Sequence, residues 1–198
     1  MSTIERTATV SRKTSETDVQ VTLNLDGTGK GTISTGIGFF DHMLDHVSKH
    51  GLFDLEITAQ GDLHVDFHHT VEDIGLTLGE AFKRSVGNKQ GLRRYGFAQV
   101  PMDEALASVT LDFSGRPMLV FSNPLDHRSA GDFSLDLVPV FLQGLADQAG
   151  MTLHATVHTA ENPHHAAEAI FKALGRALRA AVEIDPRVEG IPSTKGVL

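Results

Sequence analysis

Two short motifs carry the chemistry most visible in this chain: His68-His69-Thr70-Val71-Glu72 and His164-His165-Ala166-Ala167-Glu168. They lie 164 − 68 = 96 residues apart, close to half of the 198-residue length. On a helix, at about 100° per residue, the first His and the Glu of each motif share a face. The second His points about 100° away from the first. One ion can therefore take a His and the Glu, while the other imidazole aims at a second ion. Four His and two Glu suit two nitrogen-and-oxygen metal sites of the manganese, iron or zinc kind, not calcium or magnesium sites. His42, His46 and His50 repeat at i, i+4 and i+8, so any two of them could chelate, with Asp41 and Asp45 beside them. For His46 alone a solvated helix face is the simpler reading. His64 and His154 alternate with apolar strand residues and read as structural, and His127 and His158 carry no spacing signal. Cations gather elsewhere: Arg93-Arg94 after Gly91, Arg116 after Gly115, Lys172 eight residues after His164, and the hydroxyls and ammonium of Pro192-Ser193-Thr194-Lys195-Gly196. In a chain of charge 17 − 25 = −8 these read as a local phosphate pocket.

The elements that position these residues follow from periodicity. Val19, Val21, Leu23 and Leu25 alternate as a strand, Asp26-Gly27 signals a hairpin turn, and Ile33 sits in the expected return strand. Ile37, Phe40, Leu44 and Val47 give a helical stripe over Ile37–His50 that stops at Gly51. Leu55, Ile57 and Ala59 form the next strand, with Gly61-Asp62 as a turn and Leu63–Phe67 as a short partner. A helix follows over about His69–Val86. The second half repeats the order, with strands at Phe97–Val100, Leu106–Phe113 and Met118–Phe121, then a helix over about Leu135–Ala149. Met151–Thr159 is a strand, and the last helix spans about Pro163–Val182. The fold expected is α+β, an internal duplication of two similar units, each an antiparallel sheet with two helices on one face. Residues 1–95 make the first repeat, 96–184 the second, and 185–198 a tail contributing to the phosphate site.

Composition narrows the classes. The 11 His with no Cys exclude disulfides, thiolate metal sites and cysteine nucleophiles. The acidic balance argues against nucleic acid. No stretch reaches the roughly 20 apolar residues of a membrane span, and Met1–Arg6 shows no secretory leader, so a cytoplasmic protein without a membrane partner is expected.

Taken together, Gly36-Ile37-Gly38-Phe39-Phe40-Asp41-His42-Met43-Leu44, the Asp66–Asp73 segment, the second motif through Phe171-Lys172-Ala173, and Ile191-Pro192-Ser193-Thr194-Lys195-Gly196 resemble the imidazoleglycerol-phosphate dehydratase family over nearly the whole chain. The resemblance implies removal of water from imidazole glycerol phosphate to give imidazole acetol phosphate in histidine biosynthesis. It also implies two manganese ions and a large homo-oligomer, a cage of 24 subunits with active sites between them. Metal ligation falls to His42, His68, His69, Glu72, His164, His165 and Glu168. Substrate contacts and catalysis fall to Glu16, His46 or His50, Arg94, Arg116, Lys172, Ser193, Thr194 and Lys195, with Glu16 as the base. The role of Glu16 rests on the resemblance alone. The family pattern also places a metal-binding His in the second-half helix, where this chain reads Leu137-Val138-Pro139-Val140-Phe141 and Val140 stands in its place. Valine cannot ligate, so a water or a histidine from elsewhere is expected there, and Pro139 points to a kink or a later helix start. Two other readings use the same residues: a dinuclear phosphohydrolase, which releases phosphate, and a metal-storage protein, which leaves Arg94, Arg116 and Lys195 without a task.

Overall fold

The structure is a computed structural model that describes residues 5–125 and 127–198; residues 1–4, part of the segment read for a leader, lie outside them. The first unit runs β1 (Thr7–Lys13), β2 (Thr17–Asn24), β3 (Gly31–Ser34), α1 (Gly38–Gly51), β4 (Asp54–Gly61) and α2 (His68–Val86). The second runs β5 (Tyr95–Met102), β6 (Ala105–Asp112), β7 (Met118–Ser122), the two-residue strands β8 (Ser129–Ala130) and β9 (Phe133–Ser134), α3 (Leu137–Ala149), β10 (Thr152–Thr159) and α4 (Pro163–Val182).

The two four-stranded sheets have matching orders, β1-β2-β4-β3 and β5-β6-β10-β7. Their inner faces carry the alternating apolar residues, such as Val19, Val21 and Leu23 of β2, all fully buried. Helix α2 lies on β1 and β2, and α4 lies on β5 and β6. Between the sheets the helices meet each other, α1 against α4 and α2 against α3, so one continuous core joins both units. The α+β duplication expected from the sequence is what the chain adopts.

Each sheet departs from a purely antiparallel pattern at one edge. Strand β3 pairs parallel with β4, and β7 pairs parallel with β10. The hairpin expected at Asp26-Gly27 therefore does not form, because β2 pairs β1 and β4 and leaves no edge for β3. Helix α1 carries the chain from β3 across to β4, and a strand–helix–strand crossover leaves its two strands parallel. Leu63–Phe67 is turn and coil, not a strand. Helix α3 begins at Leu137, two residues after the expected start, and Pro139 falls in its first turn, where backbone N–H groups have no helical partner.

The helix contacts are close because glycine lies at them. A Cβ on Gly175 of α4 would stand 2.9 Å from the Val47 carbonyl oxygen of α1, and one on Gly75 of α2 would stand 2.5 Å from the Phe141 carbonyl oxygen of α3. No helix is long and apolar enough to cross a membrane among the described residues.

Candidate functional site

The starts of α2 and α4 are built alike. Asp66 Oδ1 accepts the His68 backbone N–H at 2.7 Å, and Asn162 Oδ1 accepts that of His164 at 2.8 Å, each two residues before its histidine. Pro163, at the first position of α4, adds a preset φ. Asn162 is the N-cap of α4, whereas Asp66 stands one residue before Phe67, the N-cap of α2; each bond ties down the first turn that carries the His-His pair. The two rings of each pair stand nearly perpendicular, at 88° in the first motif and 82° in the second.

Packing of α1 on α4 assembles the second motif. His42, His164 and Glu168 offer ligand atoms that all lie within 4.8 Å of one another. Glu168 is 7% exposed and collects three side-chain nitrogens around it. His46 Nε2 lies 2.8 Å from its Oε1, Lys172 Nζ 3.0 Å from the same oxygen, and His164 Nε2 3.5 Å from Oε2. Burial works to raise the Glu168 pKa, but the Lys172 ammonium and the two imidazoles outweigh it and hold the carboxyl below its ordinary value. His46 is the opposite case. Its contact with Glu168 favours the imidazolium, yet burial dominates, and His42, Lys172 and His50 oppose a further positive charge. The result is a pKa lowered to about 4. His50, one turn on, is also lowered, chiefly by burial, and opens into a separate cavity of about 410 Å³ with Arg176 and Arg179.

The first motif is less enclosed. His68 and Glu72 are exposed, and His69 turns toward Asp62, with Nδ1 3.0 Å from Oδ2. Glu16, in the β1–β2 turn, reaches within 3.8 Å of the same nitrogen, so Glu16, Asp62 and His69 form the other donor cluster among the described residues. The helix C-caps Leu52 and Gly150 align α1 with α3 at 150 − 52 = 98 residues, which sets Val140 opposite His42 and Gly144 opposite His46 in the duplication. The first motif therefore faces a helix without imidazoles.

The cationic residues gather in part. Arg94, Arg116, Ser193, Thr194 and Lys195 line one open cavity of about 670 Å³ beside Tyr95 and Pro192. Three of the five Arg94 N–H groups are occupied: Nε and Nη2 donate to Asp112 Oδ1 and Oδ2 at 2.6 and 2.9 Å, and Nη1 donates to the Pro192 carbonyl at 2.8 Å. Arg94 thus ties the C-terminal segment to β6 while keeping two donors. Lys172 is not in this cavity; it stands among the histidines, between Glu168 and Met102 Sδ. A further cavity of about 720 Å³ adjoins His42 and His164, walled by the N-termini of α1 and α4 and the β8–β9 turn.

Sequence spacing missed Glu104, in the β5–β6 turn. Its Oε2 lies 2.8 Å from His165 Nδ1, and its Oε1 accepts the Asn162 and Glu161 backbone N–H groups at 2.8 and 3.3 Å. The hydrogen bonds to His165 and Asn162 bring its carboxyl down to about 2 and raise the His165 pKa in return.

Residues 35–178 match the family model of imidazoleglycerol-phosphate dehydratase. The chain belongs to the imidazoleglycerol-phosphate dehydratase family. An imidazoleglycerol-phosphate dehydratase of Bordetella petrii is 57% identical over 194 residues, covering 98% of this chain and all of that protein. One from Methylobacillus flagellatus is 55% identical over 197 residues, covering 99% of this chain and all of its own length. Among solved structures, the dehydratase of Pyrococcus furiosus superposes with a TM-score of 0.82 at 40% identity, covering 95% of this chain and 99% of its own. That of Staphylococcus aureus gives 0.80 at 35% identity, covering 90% of this chain and all of its own. The imidazoleglycerol-phosphate dehydratase family is one of hydro-lyases, and the α+β duplication of this chain is shared with its solved members.

Proposed function

We infer that this chain removes water from imidazole glycerol phosphate to give imidazole acetol phosphate, a step of histidine biosynthesis, in the cytoplasm and with two manganese ions. The observation that carries the metal part is the meeting of His42, His164 and Glu168 within 4.8 Å. Two imidazole nitrogens and one carboxylate oxygen make a donor set that fits manganese, iron or zinc. His42, His68, His69, Glu72, His164, His165 and Glu168 hold the ions in this reading. Bound there, manganese supplies Lewis acidity and a fixed template for the imidazole end of the substrate.

The chain's own residues do the rest. Arg116, Ser193, Thr194, Lys195 and the two free donors of Arg94 grip the phosphate, a remote handle that orients the reacting carbons. The hydroxyl leaves from the carbon attached to the ring. Glu16 removes the proton from the next carbon, and the resulting enol becomes the ketone. A first-helix histidine, His46 or His50, gives the proton to the departing hydroxyl; burial lowers the pKa of both, which makes either imidazolium the stronger acid. Lys172 holds Glu168 ionised. Among the described residues the cluster of His42, His164 and Glu168 offers three ligands, which supports completion by neighbouring copies in a large homo-oligomer, with 24 subunits as the family resemblance implies.

The test is one assay: metal-stripped protein reloaded with manganese and given imidazole glycerol phosphate. Ketone formation with the phosphate retained is expected. Release of inorganic phosphate would instead support a phosphohydrolase, and full metal loading without product would refute the dehydratase reading.

A further inference from the structure

The duplication places two carboxylates at equivalent points and uses them differently. In the first sheet Lys13 pairs with Asp18, and in the second Pro101 pairs with Leu106. Both strands are thus offset by 88 residues (101 − 13 and 106 − 18), and the same shift carries Glu16 onto Glu104. Each turn lies against the second histidine of a motif, His69 or His165.

In the second unit Glu104 makes the direct bond to His165 Nδ1 at 2.8 Å. The carboxylates that approach His165 through its ring nitrogens, Asp103 and Glu104, both come from the β5–β6 turn. In the first unit Asp62 has taken that bond, at 3.0 Å, and Glu16 stands off at 3.8 Å with its side chain 52% exposed. The connections explain the difference. Six residues, 62–67, join β4 to α2, long enough to bring Asp62 back to His69, whereas three, 160–162, join β10 to α4.

We propose that Glu104 and Asp62 are positioning residues that fix the ligating tautomer of His165 and His69, and that Asp62 has thereby released Glu16, the counterpart of Glu104, for contact with the substrate. The chemistry follows from donor and acceptor roles. A carboxylate accepts only, so it holds the imidazole proton on Nδ1 and leaves the Nε2 lone pair open to a metal ion. An amide in its place can present N–H to Nδ1, which then becomes the acceptor; the proton moves to Nε2 and closes the ligand position. The proposal rests on the metal reading above.

The experiment compares Glu104→Gln, Asp62→Asn and Glu16→Gln with the parent, full chain in each case. Manganese is titrated calorimetrically into metal-stripped protein, and thermal unfolding of the metal-free forms is followed in parallel. Glu104→Gln retains an oxygen for the Asn162 and Glu161 N–H groups, so its metal-free melting point is expected to stay close to the parent's. Its manganese affinity, and that of Asp62→Asn, should fall roughly 10–100-fold. Glu16→Gln should keep the parent's affinity while losing turnover. Parental manganese affinity in both Glu104→Gln and Asp62→Asn overturns the proposal, as does a loss in Glu16→Gln as large as theirs. Should Glu104→Gln fail to fold, Asp62→Asn decides alone. A parent that binds no manganese refutes the metal reading itself, an outcome distinct from either.

Discussion

Replacing Asp112 by Asn separates two views of the phosphate cavity. Asp112 receives two charge-assisted hydrogen bonds from Arg94, at 2.6 and 2.9 Å, and the two side chains are 19% and 10% exposed. Breaking a buried pair from one side costs roughly 3–5 kcal/mol. The slight exposure and the one acceptor oxygen that Asn keeps bring the expectation to the low end, about 3 kcal/mol. For a chain of this length that lowers the melting point by roughly 6–12 °C. Binding is where the two views part. If Arg94 acts mainly as a free cation for phosphate, removing the neutralising Asp112 strengthens phosphate binding. If Arg94 acts mainly as the clamp that seats residues 192–195, the guanidinium shifts and its bond to the Pro192 carbonyl weakens. A hydrogen bond from a charged donor is worth about 1.5 kcal/mol, so phosphate then binds about tenfold more weakly. The clamp is expected. The assay is urea unfolding together with KM for imidazole glycerol phosphate and competition by inorganic phosphate at constant ionic strength. A KM that falls, or stays level while stability drops, refutes the clamp.

Three further outcomes follow from the same geometry. His46 is shifted from 6.5 to about 4 with its side chain 14% exposed, so its neutrality contributes about 3 kcal/mol of stability that is fully present above pH 6.5 and lost as pH falls to about 4; urea melts of metal-stripped protein should show this slope, and an equal slope in His46→Gln refutes the assignment. Gly175→Ala pushes a methyl against the backbone of α1 and should cost about 2 kcal/mol, while Gly38→Ala, with open space around its Cβ, should melt like the parent. Val140→His should tighten the weaker of two manganese sites, and finding both sites already tight in the parent would show the missing imidazole to be compensated.

The helices were legible because their signals are local. Asn162-Pro163 and an unbroken apolar stripe set the bounds of α4, and Gly51 and Gly150 mark where α1 and α3 end. Strand β1 was not legible, since only Ala8 and Val10 of its seven residues are buried and the rest read as coil. The parallel edges were hidden by Asp26-Gly27, a strong local turn signal overruled by the crossover through α1. At the site, the paired motifs and the cationic tail were read from spacing and composition. Glu104 was invisible to both, because its partner lies 61 residues away and only alignment of the two hairpins at 88 residues reveals its likeness to Glu16.

The duplication also accounts for why the two motifs are no longer equal. Glu168 sits beneath α1, where four-residue spacing stacks His42, His46 and His50 along the facing surface. The matching surface of α3 cannot carry the same set. At Gly144, the position equivalent to His46, a Cβ would come within 3.0 Å of the Glu72 carbonyl oxygen and the Leu76 nitrogen, so any side chain there forces α2 and α3 apart. Close packing thus excludes a second His46 and with it the buried imidazole–carboxylate–lysine arrangement around Glu168. Val140, by contrast, already carries a side chain and is only half-buried. The absence of an imidazole at Gly144 is thus one that the helix contact demands, whereas Val140 is a choice of apolar side chain over ligand at a position with a Cβ already in place.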